Sequence, residues 1–300
     1  MTVCVYENAA DCNSLTVKKH DGSVFLQFGD IAPYIAPGSL VVDVGAHAGL
    51  ASLYFLARGH PVISFEPSSE NVRLLRAAQS ANTFDRWTIE ARAVSDSSGS
   101  ATFFADGPWG HLAGGESTTR GLRETVETIS LDDWFSAQPK RRIGLLKVDV
   151  EGGELGVLRG AEQLLGRDDA PALLIESNGH ALGWFGGTPT DLRRAIARFG
   201  YRIFGVRPKR VLRRTAFYPV DTESLQARCV VDYFCVKDMQ FMKRRRAHFI
   251  ERPPSRSQIV QDAASTMRGV EDERRYLKRI LGDYPEIAAL PEIQALVEDR

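Results

Sequence analysis

The 300-residue chain has little cysteine and no net charge. Its four cysteines, Cys4, Cys12, Cys229 and Cys235, lack metal-ligand spacing, which excludes a zinc module. Cys229 and Cys235 stand six residues apart in an apolar stretch, too far apart along a strand to bond each other. They read as free thiols filling core space. The 38 basic and 38 acidic side chains cancel, so nothing global draws nucleic acid or an anionic membrane. Long hydrophobic runs are also missing. No stretch is long enough to cross a bilayer, and Met1 to Ala10 lacks the basic start and apolar stretch of a signal peptide. These absences predict a cytoplasmic protein with no membrane or nucleic-acid partner.

What is present is an ordinary soluble composition, 43% hydrophobic and 25% charged, enough for one large α/β domain or two small ones. Leu15 to Val17 and Val24 to Phe28 read as an N-terminal hairpin joined at His20-Asp21-Gly22. Asp30 to Ile35 reads as a short helix. Strands and helices then alternate. Leu40 to Val44, Pro61 to Phe65, Thr88 to Val94, Ile143 to Val150, Ala172 to Ile175, Tyr201 to Val206 and Val230 to Val236 are the seven strands of an open, mostly parallel sheet. Helices follow the pattern Leu50, Leu53, Ala57, then Val72, Leu75, Ala78 behind a cap at Ser68 or Ser69, then Glu154 to Leu165, then Leu192 to Phe199. Ala101 to Ala105 and Val126 to Ile129 look like further strands around a Gly-rich loop, Asp106 to Gly121. Leu131 to Phe135 is a short helix. The expected division is a hairpin and lead-in helix over 1–38, a main domain over 39–237 and a charged extension over 238–300. That extension should be helical from Asp262 to Gly282, packing on the domain or forming a homodimer.

Chemistry concentrates at the ends of the first two strands. Asp43 ends the first, Gly45 and Gly49 allow tight turns, and Leu50 starts a helix whose free N–H groups favour carboxylate or phosphate. Glu66 follows the second strand, where an acid accepts both hydroxyls of a ribose. NAD needs G-x-G-x-x-G to cradle a pyrophosphate. This chain has Gly45-x-x-x-Gly49, and Asp43 would repel a pyrophosphate. Asp43 suits the ammonium of an amino-acid moiety, directly or through water. S-adenosylmethionine has such an ammonium, a carboxylate and a ribose, so the pattern favours it over NAD. A strand-turn-helix holding no ligand is the bland alternative.

A second constellation ends the fourth strand: Lys147-Val148-Asp149-Val150-Glu151-Gly152-Gly153-Glu154. Strand alternation would send Lys147, Asp149 and Glu151 to one side. Such a group is either a structural salt-bridge cluster or a site for a cationic cofactor and a substrate proton. The order of Asp43-Val44-Gly45-Ala46-His47-Ala48-Gly49, Ser64-Phe65-Glu66-Pro67, Ala93-Val94-Ser95-Asp96, Ile129-Ser130-Leu131-Asp132-Asp133, Leu146-Lys147-Val148-Asp149-Val150-Glu151-Gly152 and Leu158-Arg159-Gly160-Ala161 resembles the FkbM family over roughly Val41 to Leu174. The resemblance implies an S-adenosylmethionine-dependent methyltransferase with a seven-stranded Rossmann-like sheet of the class I type. It puts the cofactor motif on Asp43, Gly45, His47 and Gly49, the ribose on Glu66, the adenine beside Pro67 and Ala93, and the methionine end near Asp149. Many relatives carry Asn at the position of His47.

The sulfonium methyl is already activated, so the protein must align an acceptor and, for a hydroxyl, remove a proton. Asp149, Glu151 and His180 are the candidate bases. Asp149 and Glu151 also suit a divalent ion, but two acids do not complete a metal site. Trp109 and His111 in the Gly-rich loop and Trp184 after the fifth strand are candidate substrate contacts. The expected activity is O-methylation of a sugar or secondary metabolite. N-methylation of a peptide side chain or amide is the alternative in chemistry, and a non-catalytic cofactor-binding scaffold the alternative in class.

Overall fold

The computed structural model describes residues 26–105, 109–114, 122–138, 141–209, 214–238 and 252–298. Most of the expected hairpin and the basic run Lys243 to Arg246 lie outside these residues. The part of the hairpin that is described is helical: α1 spans Leu26–Ile31 and runs into a 3-10 turn at Ala32–Tyr34. Phe28 is buried there against Tyr54 and Phe55, with ring centroids 5.5 and 5.8 Å away. That aromatic packing overrides the strand pattern over 26–28.

Among the described residues, the main sheet has eight strands. They are β1 Leu40–Val44, β2 Val62–Phe65, β3 Trp87–Glu90, β8 Ile143–Val148, β9 Ala172–Asn178, β10 Arg202–Lys209, β11 Arg214–Pro219 and β12 Val230–Val236, in the spatial order β11-β10-β12-β9-β8-β1-β2-β3. The strands β3, β2, β1, β8 and β9 run parallel, and β12 enters antiparallel between β9 and β10. Seven of these strands were expected. The eighth, β11, pairs antiparallel with β10 as an edge. β1 is buried at all five positions because both faces of the sheet are covered. Leu40, Val42 and Val44 pack into one core, and Val41 with Leu145, Leu174 and Phe234 into the other.

A second sheet was not foreseen. It contains β4 Ala93–Val94, β5 Gly99–Ala105, β6 His111–Leu112 and β7 Leu122–Ile129 in the order β4-β7-β5-β6. The expected strand Thr88 to Val94 is therefore two. Its first part pairs with β2, and after Ala91-Arg92 the second part pairs with Thr128 and Ile129 of β7. The Gly-rich loop likewise contains β6, paired with Phe103 and Phe104.

Helices α2 Leu50–Leu56, α3 Ser69–Ser80, α4 Leu131–Ser136, α5 Glu154–Arg159, α6 Glu162–Gly166, α7 Gly179–Trp184 and α8 Pro189–Ala197 connect the strands. Ser68 caps α3 by accepting from the Asn71 N–H, and Val72, Leu75 and Ala78 face inward as expected. The single helix expected from Glu154 to Leu165 is broken at Gly160. A Cβ there would stand 2.1 Å from the Ser95 carbonyl oxygen, so the chain needs glycine at that crossing. Beyond β12 come α9 Arg256–Met267, α10 Glu271–Ile280, α11 Pro285–Ala288 and α12 Pro291–Glu298. Ala263, Met267, Tyr276, Leu277 and Ile280 bury against Ala227 and Cys229. The Tyr276 hydroxyl donates to the Gln226 carbonyl (2.5 Å), and Thr266 Oγ1 to that of Ala227 (2.9 Å). Among the described residues, no helix is long and apolar enough to cross a membrane.

Candidate functional site

The parallel register sets Asp43 of β1 beside Lys147 of β8. Asp43 is 0% exposed. Its Oδ2 accepts from Ser52 Oγ (2.6 Å), which lies 2.7 Å from Ser64 Oγ, which in turn accepts from the Trp87 indole N–H (2.8 Å). An indole only donates, so the chain of bonds is directed from Trp87 through both serines to the carboxylate. Lys147 Nζ lies 3.1 Å from Asp43 Oδ1 and 3.3 Å from Asp149 Oδ2, and donates to the Gly45 carbonyl at 3.2 Å. Burial works against the ammonium, but the two carboxylates outweigh it and hold its pKa above the ordinary lysine value. Both oxygens of Asp43 are thus engaged. It supports the turn from beneath, and the structure does not present it directly to a ligand.

The turn above it is left-handed at three points: Gly45 (φ 75°), His47 (φ 49°) and Gly49 (φ 81°). A Cβ on Gly45 would fall 1.8 Å from the Asp149 carbonyl oxygen, so the two strand mouths touch through backbone alone. The His47 N–H donates to Glu66 Oε2 (2.8 Å). Asparagine and histidine are among the side chains enriched in left-handed backbone, which accounts for either residue at this position. Glu66 is 4% exposed. Its Oε1 also accepts from the Ser68 N–H (3.0 Å) and Asn71 Nδ2 (3.2 Å). Burial pushes its pKa up, and the three donors oppose that shift.

At the end of β8 the extended backbone stops at Val148, so strand alternation does not carry Glu151 to its place. A left-handed Glu151 (φ 50°) and Gly152 (φ 101°) fold the chain back instead. Glu154, wholly buried, holds this turn through Oε1, which accepts from the N–H groups of Val150 (3.2 Å) and Gly152 (3.1 Å). Glu151 Oε2 accepts from Asn178 Nδ2 (3.2 Å), the residue that also caps α7. The outcome is that Asp149, Glu151 and Glu176 each offer an oxygen, all within 4.8 Å of one another. Burial first, then Asp149 and Glu154, pushes the Glu151 carboxyl up to about 8. Burial and its acidic neighbours hold Glu176 well above the usual range. Glu176 and Glu154 were not singled out from sequence. Glu176 sits at the C-terminal end of the fifth strand, and that position was the available signal.

A cleft of about 590 Å³ opens between this edge and the second sheet. Gly45, His47, Glu66, Pro67, Ala93, His111, Asp149 and Glu151 all line it, so most of the expected cofactor residues converge. A second cleft of about 600 Å³ shares Gly45, His47 and Asp149 and adds Lys147, Glu176 and Asp232.

His111 is 3% exposed, and its Nδ1 lies 2.7 Å from the Trp109 carbonyl oxygen. A carbonyl only accepts, so Nδ1 carries the proton of the neutral ring and Nε2 keeps a lone pair. That Nε2 is buried with no hydrogen-bond partner. The ring lies between Phe104 (5.6 Å) and Trp184 (4.5 Å, 35° between planes). Trp109 is 56% exposed and serves His111 through its backbone. His180 is not brought into this group. Its Nε2 points to Asp272 of α10 at 3.7 Å, its ring meets Trp184 edge-on, and burial lowers its pKa.

Carboxylates and glycines gathered at the C-terminal ends of parallel strands define the ligand crevice of an open α/β fold. The chain belongs to the FkbM methyltransferase domain family, whose Methyltransferase FkbM domain it matches over residues 43–203. S-adenosylmethionine is the usual cofactor that this family implies. The protein named Methyltransferase 1 from Beauveria bassiana (strain ARSEF 2860) is 27% identical over 156 residues, which are 44% of this chain and 62% of that protein. Among solved structures, WbdD bound to the kinase inhibitor LY294002 aligns with a TM-score of 0.42 and 16% identity, over 75% of this chain and 41% of WbdD. The ribosomal protein L11 methylase of Lactobacillus delbrueckii subsp. bulgaricus aligns with a TM-score of 0.40 and 11% identity, over 71% and 78%. The match therefore spans less than two thirds of both Methyltransferase 1 and WbdD.

Proposed function

We propose that the chain transfers a methyl group from S-adenosylmethionine to a hydroxyl of a sugar or secondary metabolite. The observation that carries this reading is Glu66. A carboxylate has about four lone-pair positions, and three donors occupy three of them. The acid is therefore rigid and keeps about one accepting position on a wall of the cleft, enough for one ribose hydroxyl. Pro67 and Ala93 line the same cleft and would flank the adenine, with Gly45 and Asp149 at the methionine end. When bound, the cofactor supplies an activated methyl. The chain's own residues must then exclude water, orient the acceptor and take its proton.

His111 fits the last task better than the acids. Its Nε2 lone pair has no hydrogen-bond partner, its tautomer is held by Trp109, and Phe104 and Trp184 hold the ring in place. With no cation bound, burial pushes the Glu151 carboxyl up to about 8, so near neutrality it donates a proton more readily than it accepts one. The exposed face of Trp109 would stack on the acceptor ring.

The test is transfer of label from methyl-labelled S-adenosylmethionine to a panel of sugars and hydroxylated natural products. Labelled ethers are expected, and His111→Ala should lower kcat by about 100-fold or more while S-adenosylhomocysteine affinity is kept. Full kcat in His111→Ala would remove the histidine from the chemistry. Label found in peptide amines in place of ethers would move the reaction to nitrogen.

A further inference from the structure

We propose that Asp149, Glu151 and Glu176 bind one divalent cation of the magnesium or calcium class at the mouth of the cofactor cleft. Asp149 and Glu151 lie in the turn that follows β8, Glu176 lies on the neighbouring strand β9, and each contributes one oxygen within 4.8 Å of the others. Ligands held at about 2.1–2.5 Å from one ion lie no more than about 5 Å apart, so a single ion can bridge all three. The donors are all carboxylate oxygens, which select hard cations over zinc or copper.

Two buried carboxylate oxygens, one in the cluster and one beside it, point to a missing positive charge. Glu176 Oε2 is shut away from solvent and has no hydrogen-bond partner. The side chain of Glu154 is wholly buried at the same turn, and its Oε2 also lacks a partner. Lys147 does not fill the deficit, because Asp43 and Asp149 already share it. A buried carboxylate without a partner is costly, whereas an ion coordinating several removes that cost together. The surroundings are also preset for a ligand. Lys147 orients Asp149, Asn178 orients Glu151, and the left-handed backbone at Glu151 turns its carboxylate back over the strand mouth. The alternative is that the acids stay protonated and form a structural cluster.

This site deepens the methyl-transfer reading on which its role rests. The ion would hold the acceptor oxygen in an open coordination position and favour its loss of a proton. Binding itself can be measured without an acceptor. Mn2+ titrated into the metal-free full chain, followed by electron paramagnetic resonance, should show one saturable site that Mg2+ or Ca2+ displaces. Glu176→Gln should weaken Mn2+ by about tenfold or more, while Glu70→Gln, on the exposed face of α3, leaves it unchanged. S-adenosylhomocysteine affinity and thermal melting of each variant are measured in parallel, and Glu151→Gln replaces Glu176→Gln if the latter does not fold. Absence of saturable Mn2+ binding, or equal binding in wild type and the folded variant, overturns the proposal. Mn2+ binding without S-adenosylhomocysteine binding keeps the ion site and sinks the methyl-transfer reading. The reverse result sinks the ion site alone.

Discussion

Burial pushes the carboxyl of Glu154 up to about 7 and, with help from Asp149, that of Asp232 to about 7 as well. In an unfolded chain both ionise near 4. Between those values the folded chain holds more protons than the unfolded one, so stability falls as pH rises through that window. With chelator present and no cofactor, the melting temperature should be highest near pH 5 and decline toward pH 8. Circular dichroism melts across that range check it, and a rising profile would contradict these assignments. Local chemistry was legible in sequence where residue type and spacing carry it, as for the turn glycine Gly45 and the acid Glu66 after the second strand. It was hidden where backbone does the work. The His47 N–H bonds Glu66 and the Trp109 carbonyl holds His111, and neither bond leaves a side-chain signature. Asp43, expected to engage an ammonium directly or through water, lies buried beneath the turn, paired with Ser52 and Lys147.

Elements with strong local signals matched closely. β1 and β12 have the expected bounds, and Ser68 caps α3 as its position before a polar helix start suggests. The elements that were misread depend on distant partners. The Thr88 to Val94 pattern is uniform in sequence, yet its halves pair with different sheets. The Gly160 break answers to Ser95, and β11 exists because β10 offers it an edge. The tail is coupled to the site at the same scale. α10 lies on α7 through Gly179, where a Cβ would meet the Tyr276 ring at 2.1 Å, and Arg279 donates to the Gly179 carbonyl at 3.2 Å. Gly179→Ala should therefore cost about 1–3 kcal/mol by overpacking. Gly166→Ala, where a Cβ meets nothing within 4 Å, should be neutral or slightly stabilising. Equal denaturant midpoints for the two variants would show that this helix contact is not what the packing implies.

At the scale of the molecule, the strand order places the ends of β1, β2, β8 and β9 along one edge, and the second sheet walls the cleft on the other side. The sheet was readable from alternating patterns, since parallel strands buried on both faces read as apolar runs. The second sheet was not, because two of its four strands are only two residues long. Isothermal titration with S-adenosylhomocysteine and with NAD, on wild type and Glu66→Gln, tests the central claim most directly. One S-adenosylhomocysteine should bind per chain, NAD should not, and Glu66→Gln should weaken binding by about tenfold or more, the loss of a charged hydrogen bond to a ribose. Saturable NAD binding with none for S-adenosylhomocysteine, or full affinity in a folded Glu66→Gln, would contradict it.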